Sequence, residues 1–171
     1  MLRTFHNSFI DNLLFYQKLT IKKKFSNEEL LLCSLFLEIT KVFPQNVIIV
    51  NDFVIFFLKN ENYFSAQSKL PYLRKKFHHR KIVLVREEDV LVNLVYGFFP
   101  DPYIHTVIIE KNLHTGKTDV MVGFLSYEER GIAIGCNGNY IKAVNEIFER
   151  YVIFVSSDGF KVRIKCDVVK I

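Results

Sequence analysis

Apolar residues recur along the chain with two periods, one helical and one extended, and these periods predict its elements. Over residues 27–42 the apolar positions form a helical stripe. Ser26 precedes this stripe and Glu29 lies three residues further on, which is the capping-box pattern of a helix N-terminus. Pro44 favours the end of this helix, because proline has no backbone N–H to donate. Roughly helical spacing over residues 5–19 predicts another helix near the N-terminus.

The next segments predict a hairpin, a broken helix and a buried strand. The β-rich runs "NVIIV" and "FVIFFLK" flank Asn51-Asp52, a pair typical of a hairpin turn. "SAQSKLPYLRKKF" has a helical pattern with a break expected near Pro71, and "KIVLV" is typical of a buried strand.

The same order of elements then begins again. "EEDVLVNLVYGFF" is predicted to be a helix, and "YIHTVIIEK" and "TDVMVGFL" are predicted to be strands. A glycine-rich stretch, a helix and the strand "YVIFV" follow. The last run, "GFKVRIKCDVV", alternates between apolar and charged residues. We expect it to add to a sheet edge, either of this second module or of a partner.

The order helix, strand, strand, helical segment, strand therefore occurs twice, which indicates an internal repeat. "YLR" at 72–74 aligns with "YIK" at 140–142 at an offset of 68, and "VLV" at 83–85 aligns with "IFV" at 153–155 at an offset of 70. The predicted fold class is α/β (α+β), with two compact modules. The predicted segments are a helical and basic N-terminal extension (1–25), a first module (26–86), a second module (87–158) and a C-terminal strand (159–171).

Composition and charge narrow the class of protein. Half of the 171 residues are apolar and 15% are aromatic, which is enough to form a sizeable core. The net charge of +5 favours an anionic partner such as nucleic acid or a membrane surface, although ordinary surface lysines would give the same value. Cys33, Cys136 and Cys166 are scattered without a C-x-x-C pair, which favours reduced thiols.

The expected location is the cytoplasm. No apolar run reaches the roughly 18 residues of a membrane span, and the N-terminus lacks the pattern of a signal peptide, so no membrane partner is expected. If the composition, rich in Ile, Lys, Asn and Phe, reflects an organelle genome, the matrix or stroma of that organelle is the alternative.

Catalytic signatures are missing from the sequence. No His, Cys or acidic cluster has metal-ligand spacing, and no serine lies in a recognisable nucleophile motif. The pairs Glu87-Glu88 and Glu128-Glu129 are more typical of helix starts and loop surface than of acid/base catalysts. We therefore expect a protein that is not an enzyme and that uses no cofactor or metal.

The stretch "GIAIGCNGNYIKAV" holds three of the seven glycines of the chain. Their spacing does not fit the dinucleotide motif G-x-G-x-x-G. It does not fit a P-loop either, because Asn139 and Tyr140 stand where Lys and Ser/Thr are required. The tetrapeptide Gly135 to Gly138 fits the G-x-x-G loop of a KH module, which clamps about four nucleotides through their backbone. The alternative is a glycine-rich helix junction with a structural role only.

The surroundings of this loop carry a family resemblance. "ERGIAIGCNGNYIKAV", preceded by "FFPDPYIHTVIIE" and "TDVMVGFLS", resembles the second KH module of the NusA transcription-factor family. "KIVLVREEDVLVNLVYGFFPDP" resembles the end of that family's first module and the junction after it. The resemblance covers about residues 26–158, and members of this size, chiefly archaeal, are little more than two KH modules in tandem.

This resemblance implies a fold, a function and partners. The fold is two prokaryotic-type (type II) KH modules, each a three-stranded sheet covered by helices. The function is binding of single-stranded RNA near RNA polymerase, in transcription termination, antitermination or pausing. The alternative is a structural RNA-binding component of a ribosome or another large ribonucleoprotein.

The expected RNA-binding residues lie around the glycine loop. They are Gly135, Cys136, Asn137, Gly138, Asn139, Tyr140, Lys142 and Arg130. Tyr127 and Tyr140 are the candidates for stacking on bases.

The first module departs from this pattern. The offset of 68 places Gln67-Ser68-Lys69-Leu70 at the loop position, so its glycines are lost. A site there would rely on Lys69 and Arg74, with Lys75 and Lys76, as a basic surface, and a solvated helix face is the alternative. His78-His79 are expected to lie at a helix end, and a contribution to an RNA-binding face is the alternative.

Overall fold

A computed structural model describes residues 14–112, 115–155 and 160–170, and the chain divides into two compact units. The first unit is Ile21–Glu87, and the second is Glu88–Ile171 together with the segment before Ile21. Each unit mixes helices with one three-stranded sheet, so the fold class is mixed α and β. No helix in the described ranges is long and apolar enough to cross a membrane.

The described residues contain eight named strands and six named helices. The strands are β1 (Leu19–Ile21), β2 (Asn46–Val50), β3 (Phe53–Leu58), β4 (Lys81–Arg86), β5 (Thr106–Lys111), β6 (Thr118–Phe124), β7 (Val152–Phe154) and β8 (Val162–Val168). The helices are α1 (Asn27–Thr40), α2 (Asn60–Gln67), α3 (Leu70–Lys76), α4 (Leu91–Phe98), α5 (Tyr127–Ile134) and α6 (Asn139–Arg150).

Helix α1 begins at the capping box that the sequence predicts. The Ser26 hydroxyl accepts from the Glu29 amide at 3.2 Å, and the Glu29 carboxylate accepts from the Ser26 amide at 2.7 Å. Lys41 takes a left-handed conformation (φ 59°), which ends the helix just before it. The second carboxylate oxygen of Glu29 accepts from the Ile49 amide at 3.2 Å and joins α1 to strand β2.

The sheet of the first unit has the strand order β2-β3-β4. β2 and β3 form the predicted antiparallel hairpin, with Asn51 in a left-handed conformation (φ 51°) at its turn. Helices α2 and α3 then cross over, and β4 returns parallel to β3. The ring of Phe36 from α1 stacks on Phe56 from β3 with centroids 4.2 Å apart, in a core that also holds Val54 and Leu84.

The second unit repeats this order around a sheet with the order β5-β6-β8. β5 pairs antiparallel with β6, helices α5 and α6 follow, and β8 runs parallel to β6. Val120, Val122 and Phe124 of β6 are fully buried, as are Val144 and Ile147 of α6. The predicted internal repeat is therefore present as a repeat of structure.

The pairing of the last strands corrects the alignment of this repeat. The sequence aligned "IFV" at 153–155 with the third strand of the first unit, but β7 pairs instead with β1 in a separate two-stranded sheet. β7 has only three residues, whereas β8 pairs with β6 along seven positions. The C-terminal strand expected over 159–171 is thus the third strand of the second unit's own sheet, which confirms that it adds to a sheet edge.

Backbone hydrogen bonds join the segment before Ile21 to the rest of the second unit. The Leu19 amide donates to the Asp89 carbonyl at 2.8 Å, and the Leu91 amide donates to the Gln17 carbonyl at 3.0 Å. The Val155 amide donates to the Lys18 carbonyl at 2.9 Å. The helix predicted over residues 5–19 does not reach its predicted end, because residues 14–15 are helical but Lys18 bridges to Val90 and Leu19 begins β1. Residues 5–13 lie outside the described residues.

Both acidic pairs lie near helices but in different positions. Glu87-Glu88 precede helix α4, which begins only at Leu91. Glu128 and Glu129 occupy the first turn of α5, where negative charge is favourable to the helix dipole.

Candidate nucleic-acid interface

The glycine-rich stretch forms a tight turn between two helices. Helix α5 ends at Ile134, one 3₁₀ turn spans Cys136–Gly138, and α6 begins at Asn139. The sequence treated "IAI" only as an apolar run, but it is the last turn of α5. The missed signal was Ser126 three residues before Glu129, and the Ser126 hydroxyl does accept from the Glu129 amide at 3.1 Å.

The backbone of this turn explains two of the three glycines. Gly135 has φ 73° and ψ 173°, a backbone conformation that residues with a Cβ rarely adopt. A Cβ at this position would also lie 2.8 Å from the Tyr140 Cβ. Gly138 has φ 69°, and Asn137 between them has φ 53°, which asparagine tolerates better than most residues. A Cβ on Gly131, inside α5, would meet nothing within 4 Å.

The corresponding turn of the first unit has a different backbone. Helix α2 ends at Gln67 and α3 begins at Leu70, and the residues between them are right-handed, with φ −59° at Ser68 and φ −95° at Lys69. Because no positive φ is needed, no glycine is needed either. Lys69, Arg74, Lys75 and Lys76 are all exposed in this unit, and His78 and His79 lie in the turn after α3.

The side chains of the second unit's turn face solvent. Cys136, Asn137 and Asn139 are exposed. The Lys142 ammonium donates to the Asn137 carbonyl at 3.5 Å, which places a positive charge beside the turn. No side chain caps the N-terminus of α6, since its N-cap residue is Gly138.

The Tyr140 side chain is held by contacts within the second unit and does not present its ring for stacking on a base. It is half-buried, its hydroxyl donates to the Phe98 carbonyl at 2.5 Å, and its ring lies edge-on to Phe99 with centroids 6.1 Å apart. Its Cβ also sits against Gly135. Of the two candidates for base stacking, Tyr127 is the exposed one, at 79%.

A groove of about 1060 Å³ opens beside this turn, between helices α5 and α6 and strand β8. Gly138, Ile141 and Phe148 line it from the α6 side, and Ile164 and Cys166 line it from β8. The basic side chains that line it are Lys117, Arg130, Lys142, Arg150, Lys161, Arg163 and Lys165. The acidic ones are Glu146, Glu149 and Asp167. Basic side chains therefore outnumber acidic ones in the lining, and we call the basic side chains the basic rim and the apolar lining residues the apolar floor.

Two of these basic side chains are neutralised within the unit. Arg150 pairs with Glu146 at 2.6 Å, and Lys165 pairs with Asp119 at 2.5 Å. Burial of Asp119 opposes its ionisation, but hydrogen bonds from Lys165 and Asn112 outweigh this and hold its pKa below the usual value. The other five basic side chains of the groove form no ion pair within the described part of the chain.

The wall formed by β8 is joined to both helices by side chains. Asn145 of α6 accepts from the Ile164 amide at 2.7 Å and donates to the Ile164 carbonyl at 2.9 Å. The Nε of Arg130 donates to the Cys166 carbonyl at 3.1 Å. Burial raises the pKa of the Cys166 thiol to about 12, against the opposing influence of the Arg130 charge, so this thiol stays neutral.

Of the predicted site residues, Gly138, Lys142 and Arg130 line this groove, while Lys69 and Arg74 belong to the first unit. The other predicted residues of the turn and of the start of α6 do not line it: Gly135, Cys136, Asn137, Asn139 and Tyr140. Sequence reasoning missed Asn145, because an asparagine inside an amphipathic helix has no signature of its own. It also missed Lys117, which has no signature of its own, and Lys161 and Arg163, because it placed the C-terminal strand outside the second module. Among the described residues, no group of three His, Cys, Asp or Glu side chains could hold a metal ion.

Comparison with known proteins supports the fold. No family model matches the chain, and no curated protein matches its sequence. A solved structure described as "Crystal structure of APE1850" is similar, with a TM-score of 0.57 and 24% sequence identity. The match covers 82% of this chain and 100% of that one. At this identity the likeness concerns the fold alone.

Proposed function

We propose that the chain binds single-stranded RNA in the groove of its second unit. The observation that carries this proposal is the exposed Gly135–Gly138 turn, which opens onto a groove with five basic side chains that form no ion pair in the described residues. Close approach of a phosphate backbone requires such a turn, and electrostatic attraction requires such a rim.

Each part of the site has a partner on a nucleic-acid strand. A phosphate beside the turn would meet the N-terminus of α6, whose dipole favours an anion, and the Lys142 ammonium. Neighbouring phosphates would meet Arg163, Lys161 and Lys117 on the opposite wall. The apolar floor, including Ile141, would accept the faces of unpaired bases, and this is why a single strand fits better than a duplex.

The architecture supports the more specific proposal of two type II KH modules in tandem. Both units have the order helix, strand, strand, helix, helix, strand around a three-stranded sheet, and the second places a G-x-x-G turn between its last two helices. We extend the proposal, by the resemblance stated above, to a NusA-like role on nascent RNA near RNA polymerase in the cytoplasm, without catalysis.

The binding proposal is tested by fluorescence anisotropy with a labelled single-stranded RNA of about ten nucleotides. If about four phosphates are neutralised, log K should fall with log[salt] with a slope near −3. Arg163→Ala should weaken binding and reduce the steepness of this slope by about 0.7, since one phosphate contact is lost. Lys111→Ala is the matched control, because Lys111 is an exposed lysine of the same unit that does not line the groove. Absence of binding, or binding without salt dependence, would refute the proposal.

The cellular role is tested separately by purifying the chain from its own cells. Co-purification with a subunit of RNA polymerase supports the NusA-like role. Stoichiometric ribosomal RNA would instead support a structural place in a ribonucleoprotein.

A further inference from the structure

Strand β8 is the edge of its sheet that borders the groove. An edge strand presents a row of unpaired N–H and C=O groups, and these can hydrogen-bond a ligand. In the groove, the main-chain groups of β8 are the ones best placed to hydrogen-bond the edge of a base. Whether these groups are free or already bonded therefore affects which RNA sequences the groove accepts.

The hydrogen bonds of β8 show which of its residues face the groove. The Lys161 carbonyl accepts from the Thr118 amide at 2.8 Å, and the Val169 amide donates to the Phe124 carbonyl at 2.8 Å, so odd-numbered residues of β8 bond to β6. The amides and carbonyls of the even-numbered residues, including Ile164 and Cys166, therefore point away from β6 and toward the helices.

Side chains of the two helices already occupy the centre of this edge. The Asn145 amide group bonds both main-chain groups of Ile164 and also donates to the Ile141 carbonyl at 2.9 Å, which fixes its orientation. The Nε of Arg130 donates a hydrogen bond to the Cys166 carbonyl. Asn145 thus takes the place that a neighbouring strand, or the edge of a base, would take.

We propose that Asn145 and Arg130 withhold the edge of β8 from bases, so that the groove takes single-stranded RNA without selecting its sequence. This inference rests on the proposed function. Phosphate contacts position a strand but carry no sequence information, whereas base contacts specify it. With the main-chain groups of Ile164 taken, the basic rim and the apolar floor remain, and every base has a face that can stack on an apolar surface.

The full chain is tested first without any substitution. Its affinity is measured by anisotropy for oligo(U), oligo(A) and oligo(C) of equal length, about ten nucleotides. The three dissociation constants should agree within about threefold, the variation that stacking strength alone introduces. A preference of about tenfold or more for one oligomer would overturn this inference and leave the proposed function standing. Absence of binding to all three would overturn both.

Asn145→Ala then tests the positioning role, since it exposes both main-chain groups of Ile164. We expect a base preference of about fivefold or more to appear, together with an affinity for the best oligomer within about threefold of the parent. Asn93→Ala, a change at an exposed asparagine of α4, should leave all three affinities equal. A folded Asn145→Ala protein that remains indifferent to sequence would overturn the proposal.

Hydrogen exchange reports on the edge itself. The Ile164 amide should be protected in the parent and should exchange about tenfold faster in Asn145→Ala. If that variant fails to fold, Asn145→Asp replaces it, because its carboxylate still accepts from the Ile164 amide but has no donor for the carbonyls of Ile164 and Ile141. The Asp variant should expose the Ile164 carbonyl and show a base preference, and equal affinities in it would count against the proposal.

Discussion

Negative charge at the glycine turn should abolish most RNA binding without disturbing the fold. The change is the double substitution Cys136→Asp and Asn137→Asp. Both side chains are exposed, and aspartate adopts the left-handed conformation of position 137 (φ 53°) nearly as well as asparagine does. The variant should therefore have the stability of the parent.

The magnitude follows from the distance at which a phosphate would pass the turn. A carboxylate about 6 Å from a phosphate, in surroundings as polar as water, is repelled by about 0.7 kcal/mol. Two carboxylates then cost about 1.4 kcal/mol, which corresponds to a tenfold loss of affinity. The dielectric constant between a bound strand and the protein is lower than that of bulk water, so about tenfold is the smallest loss expected.

The assay is anisotropy with single-stranded RNA at low and high salt, and the control carries the neutral analogue of each aspartate. Cys136→Asn alone supplies this control, because it leaves two amides at the positions where the test variant has two carboxylates. Its affinity should stay close to that of the parent. The loss of RNA affinity in the double-Asp variant should be smaller at high salt than at low salt, since salt screens the repulsion between exposed charges. Parent-like affinity in a well-folded double-Asp variant would refute the proposed site and leave the glycines as a structural turn.

Three further predictions concern the turn, the first unit and the thiols. Gly135→Ala should lower the free energy of unfolding by about 2 kcal/mol, through its backbone conformation and its contact with Tyr140, whereas Gly131→Ala should raise it by about 0.8 kcal/mol; equal effects in urea denaturation would contradict this. Lys69→Ala should weaken RNA binding by about twofold or less in the anisotropy assay, and abolition of binding would move the site to the first unit. In the folded protein a thiol reagent should modify exposed Cys136 faster than half-buried Cys166, because burial raises the pKa of Cys166 to about 12; equal rates at these two thiols would contradict the structure.

The sequence predicted most of the elements because their local signals agree with their packing. The capping box at Ser26, the Asn51 turn and the alternation over 162–168 each correspond to a capped helix, a hairpin or a strand in the structure. The partner of a strand, in contrast, is set by contacts distant in the chain. "YVIFV" and "KVRIKCDVV" both have strand patterns, and only the pairing of β8 with β6 shows which one completes the sheet.

The candidate site was predictable at the turn and not at the wall opposite it. The positive φ angles at Gly135 and Gly138 can be anticipated from the sequence, because few residues other than glycine adopt them. The hydrogen bonds between Asn145 and Ile164 have no recognisable signal in the sequence, since an asparagine in a helix is compatible with many environments. Tyr140 shows the converse: an aromatic beside a nucleic-acid loop is a reasonable stacking candidate, but its hydroxyl bonds the Phe98 carbonyl.

The two units show that a shared order of elements does not imply a shared site. Each has the same order of strands in its sheet and a helical side chain that bonds an edge strand, but the two edges do not correspond. Glu29 bonds the Ile49 amide of β2, the first strand of its sheet, and Asn145 bonds Ile164 of β8, the last strand of the other. The turns between their last two helices differ, because Lys69 stays right-handed where the second unit has three residues with positive φ. A right-handed turn bearing side chains cannot offer a phosphate backbone the close approach that Gly135 and Gly138 allow. The two units therefore share the order of their strands and helices, while the proposed RNA site belongs to the unit that has the glycine turn.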